Sequence, residues 1–121
     1  MHDEPDVLVI GGGPAGSVAA TLLADAGHRV LVLERERFPR YHIGESLLSA
    51  TLPILDAVGA TSAIERHGFL HKPGGTFLWG RQRAPWSFWF REDPGGYDHA
   101  FHVLRSEFDQ ILLRHSARMG A

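Results

Sequence analysis

Asp6-Val7-Leu8-Val9-Ile10-Gly11-Gly12-Gly13-Pro14-Ala15-Gly16 decides the fold, and the segments that follow complete its pattern. Val7 to Ile10 is a short, wholly apolar run, as expected for a parallel strand buried on both faces. Gly11, Gly13 and Gly16 then fit the spacing G-x-G-x-x-G. From Ser17 to Gly27 the spacing predicts a helix, with Val18, Ala19, Leu22, Leu23 and Ala26 on one apolar face and Gly27 as its left-handed terminator. Arg29-Val30-Leu31-Val32-Leu33 reads as a second buried strand, and Glu34 follows it.

Each part of this strand–turn–helix–strand unit has a physical task. Gly11 permits the tight turn, Gly13 lets the backbone approach a pyrophosphate, and Gly16 lets helix and strand pack closely. The free N–H groups and the positive dipole end of the helix then face the phosphates. The Glu34 carboxylate is placed to accept both ribose hydroxyls, and it disfavours a 2′-phosphate by charge. A lone glycine pattern is a weak signal; strand, glycines, helix, strand and acid in this order are a strong one.

Composition narrows the alternatives. A chain of 121 residues suits one small domain, and a net charge of −2 gives no support to a nucleic-acid or anionic-membrane partner. No apolar run approaches the roughly 20 residues of a membrane span. The acidic start Met1-His2-Asp3-Glu4 does not resemble a secretory signal, so the cytoplasm is the expected location. With no cysteine in the chain, disulfides, thiolate metal sites and cysteine nucleophiles are excluded. Eight scattered histidines offer no convergent ligand set, so no metal is expected. Eleven of the twelve basic residues are arginine, and the one lysine is Lys72. Only lysine can lose its proton and react as an amine.

Further along, Arg35 to Ser46 reads as a loop, in which Arg40 either contacts phosphate or adenine or is simply solvated. Ser46 is a candidate N-cap for a helix carrying Leu47, Leu48, Leu52, Leu55 and Val58, which Pro53 should kink or divide. A second short helix is expected from Thr61 to His67, ended by Gly68. Phe69 to Gly80 reads as an irregular strand, a Pro73-Gly74-Gly75 turn and a strand with Phe77 and Trp79 on one face. A loop at 81–85, a strand at Trp86 to Phe90, a turn at Asp93 to Gly96 and a strand at His102 to Leu104 follow. Ser106 and Asp109 fit a capping box opening a helix with Phe108, Ile111, Leu112 and Met119 on one face.

These residues resemble a known family. The opening unit is similar to that of the flavoprotein monooxygenase superfamily, which binds FAD. Phe38-Pro39-Arg40, Ile43-Gly44-Glu45-Ser46-Leu47-Leu48 and Lys72-Pro73-Gly74-Gly75-Thr76-Phe77-Leu78-Trp79-Gly80 resemble the FAD-dependent halogenases, in the branch acting on phenols, pyrroles and carrier-bound substrates. The resemblance implies an α/β, Rossmann-like FAD-binding fold of the glutathione-reductase type. It also implies FAD reduced by a separate flavin reductase, chloride or bromide as co-substrate, and an aromatic small molecule or carrier-protein-tethered substrate. Hypohalous acid would reach a lysine beside the substrate; by position this is Lys72, whose bland alternative is a surface lysine beside a turn. Gly44, Glu45 and Ser46 match the family's loop near the flavin ring. Arg105, with Phe108 and Asp109, matches an R-x-x-F-D pattern whose arginine lies near FAD; otherwise it is a solvated arginine at a helix start. The cofactor-binding set so implied is Gly11, Gly13, Pro14, Ala15, Gly16, Glu34, Arg35, Arg40, Gly44, Glu45, Ser46 and Arg105.

The chain also departs from the family. Trp86-Ser87-Phe88-Trp89 differs in spacing from the later W-x-W-x-I-P motif of halogenases, and no second Gly-Asp FAD motif or later acid assisting Lys72 is found. The expectation is therefore the N-terminal part of a longer protein: a βαβ unit with helices over 1–68, a β-rich substrate-side region over 69–100, and a return strand and helix over 101–121. Alone, it should leave sheet edges and apolar faces uncovered, bind FAD weakly and not halogenate. The alternatives are a segment of an aromatic hydroxylase of the same superfamily and a non-catalytic remnant.

Overall fold

The computed structural model describes residues 4–81 and 83–121, so the N-terminal reading of Met1 to Asp3 and the loop position Gln82 lie outside the described residues. Strand β1 (Val7–Ile10), helix α1 (Pro14–Asp25) and strand β2 (Val30–Leu33) form the expected unit, with β1 and β2 parallel and Val7 opposite Val30. Helix α1 starts three residues earlier than the apolar stripe suggests, because Pro14 at its first position fits the helix and lacks only an N–H that would have no partner there. Its buried residues are the small Ser17, Ala20 and Thr21 rather than the Val18–Leu22 stripe. Small side chains let α1 lie close to the C-terminal helix, and both hydroxyls are satisfied, Ser17 Oγ donating to Gly12 O and Thr21 Oγ1 to Ser17 O.

The two strands are not buried on both faces as their apolar runs alone suggest; the uncovered apolar face expected of the segment on its own is present instead. Helix α1 covers one face only; on the other, Leu8, Ile10, Leu31 and Leu33 are exposed, Ile10 at 87%.

Helix α2 (Thr51–Ala57) also departs from expectation. Pro53 sits in its first turn, where a missing N–H costs nothing, so it neither kinks nor divides the helix. Ser46 is not its N-cap; it pairs with His102 in an isolated antiparallel bridge. Helix α3 (Thr61–His67) ends at left-handed Gly68 as its sequence predicts.

Strand β3 (Leu70–Lys72) pairs antiparallel with β6 (Ala100–His102), two residues earlier than the His102–Leu104 run expected. Between them, β4 (Gly74–Leu78) and β5 (Pro85–Trp89) form a separate antiparallel hairpin. Gly74 and Gly75 are therefore strand residues, not a turn. A Cβ on Gly74 would lie 2.1 Å from Phe88 O, and one on Gly75 2.8 Å from Phe88 Cε1, so the glycines admit the neighbouring strand and its ring. Helix α4 (Arg105–Arg118) closes the fold, with Leu104 as N-cap and no side-chain cap, so the capping box from Ser106 and Asp109 does not form. The core lies between α2, α3, β6 and α4, built from Leu52, Leu55, Val58, Ile64, Phe101, Val103, Phe108 and Leu112.

Candidate functional site

The site begins at the start of α1. Gly11, at φ 103°, turns the chain out of β1, and its N–H donates to Leu33 O at 2.8 Å, latching the turn to the end of β2. A Cβ on Gly16 would lie 1.9 Å from Gly11 O, so the helix can approach the strand only with glycine there. No side chain caps α1 and no acid lies in its first turn, which leaves the helix start open to an anion.

Glu34 braces this turn. Its Oε1 accepts the Glu36 N–H at 2.9 Å and its Oε2 the Gly12 N–H at 2.7 Å, and these two bonds, that of Glu36 first, hold the carboxyl below its usual range. Each oxygen keeps acceptor capacity beyond the bond it has made.

A buried carboxylate, which reads in the sequence both as a capping acid and as the acid of the R-x-x-F-D pattern, ties the two candidate arginines together. Asp109 is fully buried; its Oδ2 accepts Arg40 Nη1 at 2.6 Å and Arg105 Nη2 at 3.0 Å, and its Oδ1 accepts Arg105 Nε at 2.7 Å. Such a charge is tolerable inside a fold only because it is paired and hydrogen-bonded this fully. The i, i+4 spacing of Arg105 and Asp109 carried half of this signal; Arg40, 69 positions away from Asp109, could not be paired with it from the sequence. Arg105 Nη1 also donates to Ile43 O at 2.8 Å, and a Cβ on Gly44, at φ 100°, would come within 3.0 Å of that nitrogen.

The loop thus held continues along β6. Val103 N–H donates to Glu45 O at 2.8 Å and Leu47 N–H to Phe101 O at 3.0 Å. Glu45 and Ser46 therefore act here through their backbones. Lys72, on the far side of β6, reaches over it: its register partner is the buried Ala100, and its Nζ donates to Leu47 O at 3.0 Å. The ammonium also lies 5.4 Å from the centre of the Phe90 ring, a neighbour the sequence reading had not paired with it.

Two clefts flank the start of α1. The first, of about 740 Å³, is lined by Gly11, Gly13, Glu34, Arg35, Arg40 and neighbouring residues. The second, of about 450 Å³, is more apolar and runs from Pro14, Ala15 and Val18 to Leu47, Arg105 and Phe108. Gly13 lines one and Pro14 the other, so the uncapped helix start lies where they meet. Lys72, Glu45 and Ser46 line neither cleft, but Lys72 is bonded to Leu47, which lines the second. Among the described residues no group of three or more His, Asp or Glu side chains is placed to hold a metal, and no helix is long and apolar enough to cross a membrane.

A family model described as tryptophan halogenase matches residues 6–119. The tryptophan 2-halogenase of Chondromyces crocatus is 53% identical over 120 residues, covering 99% of this chain and 22% of that protein. The flavin-dependent halogenase armH1 of Armillaria mellea is 45% identical, covering 99% of this chain and 23% of its own length. The solved structure of the myxobacterial chondrochloren halogenase CndH, described as a variant of FAD-dependent halogenases, superposes with a TM-score of 0.89 at 52% identity, over 96% of this chain and 27% of that one. The chain thus spans less than a quarter of the length of these curated relatives.

Proposed function

The chain belongs to the tryptophan halogenase family, and we propose that it supplies the FAD-binding start, and the reactive lysine, of a flavin-dependent halogenase acting on an electron-rich aromatic ring. The observation that carries this reading is the pair of clefts meeting at the uncapped start of α1. One offers Glu34 for ribose hydroxyls; the other offers an apolar wall and Arg105. A diphosphate between them would meet open N–H groups, and a Cβ on Gly13 would have only Arg40 Nη2 nearby, at 3.5 Å, so glycine leaves that approach clear. The residues lining the clefts therefore fit an extended dinucleotide such as FAD, with Gly11, Gly13, Glu34, Arg35 and Arg40 on its adenosine diphosphate side and Arg105 towards the flavin, where the loop of Gly44, Glu45 and Ser46 would support the site through its backbone.

When bound and reduced, the flavin supplies the oxygen-activating chemistry that converts chloride or bromide into hypohalous acid. Lys72 would hold that oxidant at the substrate. Its bond to Leu47 O fixes the amine and leaves two further N–H donors. The halogen passes to a ring carbon, the ring loses a proton, and the hydroxide released from the oxidant leaves as water. A cytoplasmic flavin reductase is the source of reduced FAD, and the substrate is either free or carried on a protein. The hairpin of β4 and β5 forms the start of the substrate side.

Replacing Lys72 by Ala in a full-length halogenase that carries this segment tests this. The halogenated product is expected to vanish while oxygen still oxidises reduced flavin at the wild-type rate. Full halogenation by the variant refutes the role of Lys72. A hydroxylated product that is unaffected by the substitution points instead to an aromatic hydroxylase of the same superfamily.

A further inference from the structure

Asp109 is the one carboxylate in the described residues with no exposed surface, and its two partners lie on opposite sides of the α1 start. From this we infer that, on the FAD-binding reading above, Asp109 is the positioning residue of the cofactor site: it aims Arg40 at the glycine turn and, through Arg105, holds the loop carrying Ile43 and Gly44 at the other end.

The geometry leaves part of the Arg40 guanidinium presented, while Arg105 is held to the protein at all three of its nitrogens. Arg40 gives Nη1 to Asp109, which leaves Nη2 against Gly13, where a Cβ would lie 3.5 Å from it. Its Nε lies 3.6 Å from the half-exposed Glu36 carboxylate. Arg105 gives Nε and Nη2 to Asp109, so Nη1 is turned to the carbonyls of Ile43 and Gly44, at 2.8 and 3.5 Å. Both arginine side chains are nearly buried, at 12% and 13% exposure, so neither can swing to solvent to find another partner. Two cations share the one buried anion, while the Glu34 and Glu36 carboxylates stand at the glycine turn and at Arg40 Nε, so it is the direction of Arg40 Nη2, not a net charge, that would meet a diphosphate. Asp109 itself touches neither cleft; it acts through the arginines.

Titration of a full-length protein that carries this segment with ADP, which probes the Arg40 side alone, and with FAD, which probes both sides, tests the inference. Asp109→Asn keeps the shape of the side chain and removes its charge. It is expected to raise both dissociation constants roughly tenfold, as for the loss of a charged hydrogen-bond partner, with an unchanged circular-dichroism spectrum. In an Arg40→Gln background the same change should leave ADP affinity where Arg40→Gln alone put it. A second full loss in that background means that Asp109 does not act through Arg40 and overturns the inference. Wild-type affinities in Asp109→Asn overturn it as well, while leaving the cofactor reading intact. A wild-type protein that binds neither ligand overturns the cofactor reading and this inference with it. Should Asp109→Asn fail to fold, Asp109→Glu decides: it keeps the charge but displaces both arginines by a methylene, so ADP and FAD affinity should fall with an unchanged circular-dichroism spectrum, and wild-type affinities overturn the assignment.

Discussion

Replacing Gly16 by Ala and Gly13 by Ala should separate folding from ligand binding within one turn of chain. At Gly16 the new Cβ would lie 1.9 Å from Gly11 O, 3.0 Å from Gly11 C and 3.3 Å from Val9 Cγ1. Two of these atoms are backbone and cannot swing aside. Relieving the contact to an ordinary carbon–oxygen separation requires β1 and α1 to part by roughly 1.4 Å. The same movement strains the Gly11 N–H to Leu33 O latch. Overpacking of this kind costs about 3 kcal/mol, the upper end of the usual range. For a domain of this size that lowers the melting temperature by roughly 12 °C. At Gly13 the only neighbour is Arg40 Nη2 at 3.5 Å, an ordinary contact at the end of a flexible side chain, so folding should be unaffected. FAD affinity should nevertheless fall, because the methyl group would occupy the approach of a diphosphate. Melting followed by circular dichroism, paired with FAD titration, reads both effects. Gly16→Ala melting within about 2 °C of wild type would refute the packing argument, and Gly13→Ala binding FAD as wild type would refute the diphosphate placement.

Other substitutions probe the remaining parts. Phe108→Ala empties a position 2% exposed at the centre of the core and should cost about 3–5 kcal/mol in chemical denaturation. In the hairpin, Gly74→Ala meets the Phe88 carbonyl and Gly75→Ala only the Phe88 ring, which can turn away. Gly74→Ala should therefore disturb tryptophan fluorescence from Trp86 and Trp89 more than Gly75→Ala. The Arg29 guanidinium and backbone N–H, donating to Asp6, bring its carboxyl down to about 2. A depressed folded value means that the pair's contribution is complete above the ordinary carboxylate range and is lost as the pH falls through about 2. Asp6→Asn should accordingly melt slightly below wild type at neutral pH, less so in high salt, and match it once the pH falls below about 2.

How much of this was legible in the sequence depended on whether the cause was local. The glycine spacing, Glu34 after the second strand and the Thr61–Gly68 helix are set by neighbours within one turn or one strand, and each was readable. Pro53 and the Gly74–Gly75 pair were misread, although they are equally local signals. A proline in a first helical turn and one in a helix interior look alike until the helix start is known. Glycines that form a turn and glycines that admit a facing strand differ only in what lies opposite, here Phe88. Asp109 reads in the sequence as a capping acid and as part of the R-x-x-F-D pattern with Arg105, but its distant partner Arg40 comes from another loop and was not visible. Lys72 was found as the only lysine and by family likeness; its anchor at Leu47 O, 25 positions away, was not visible. The strands β1 and β2 were overread as doubly buried because an apolar run records the tendency to be covered, not which element does the covering.

The central claim, that a flavin dinucleotide lies across the start of α1, is tested most directly by amide hydrogen exchange of the protein with and without FAD. The account predicts slowed exchange at the amides of Gly13, Ala15 and Gly16 and along Ile43 to Leu47, with little change in α3. Unchanged exchange at Ala15 and Gly16 under saturating FAD would contradict it.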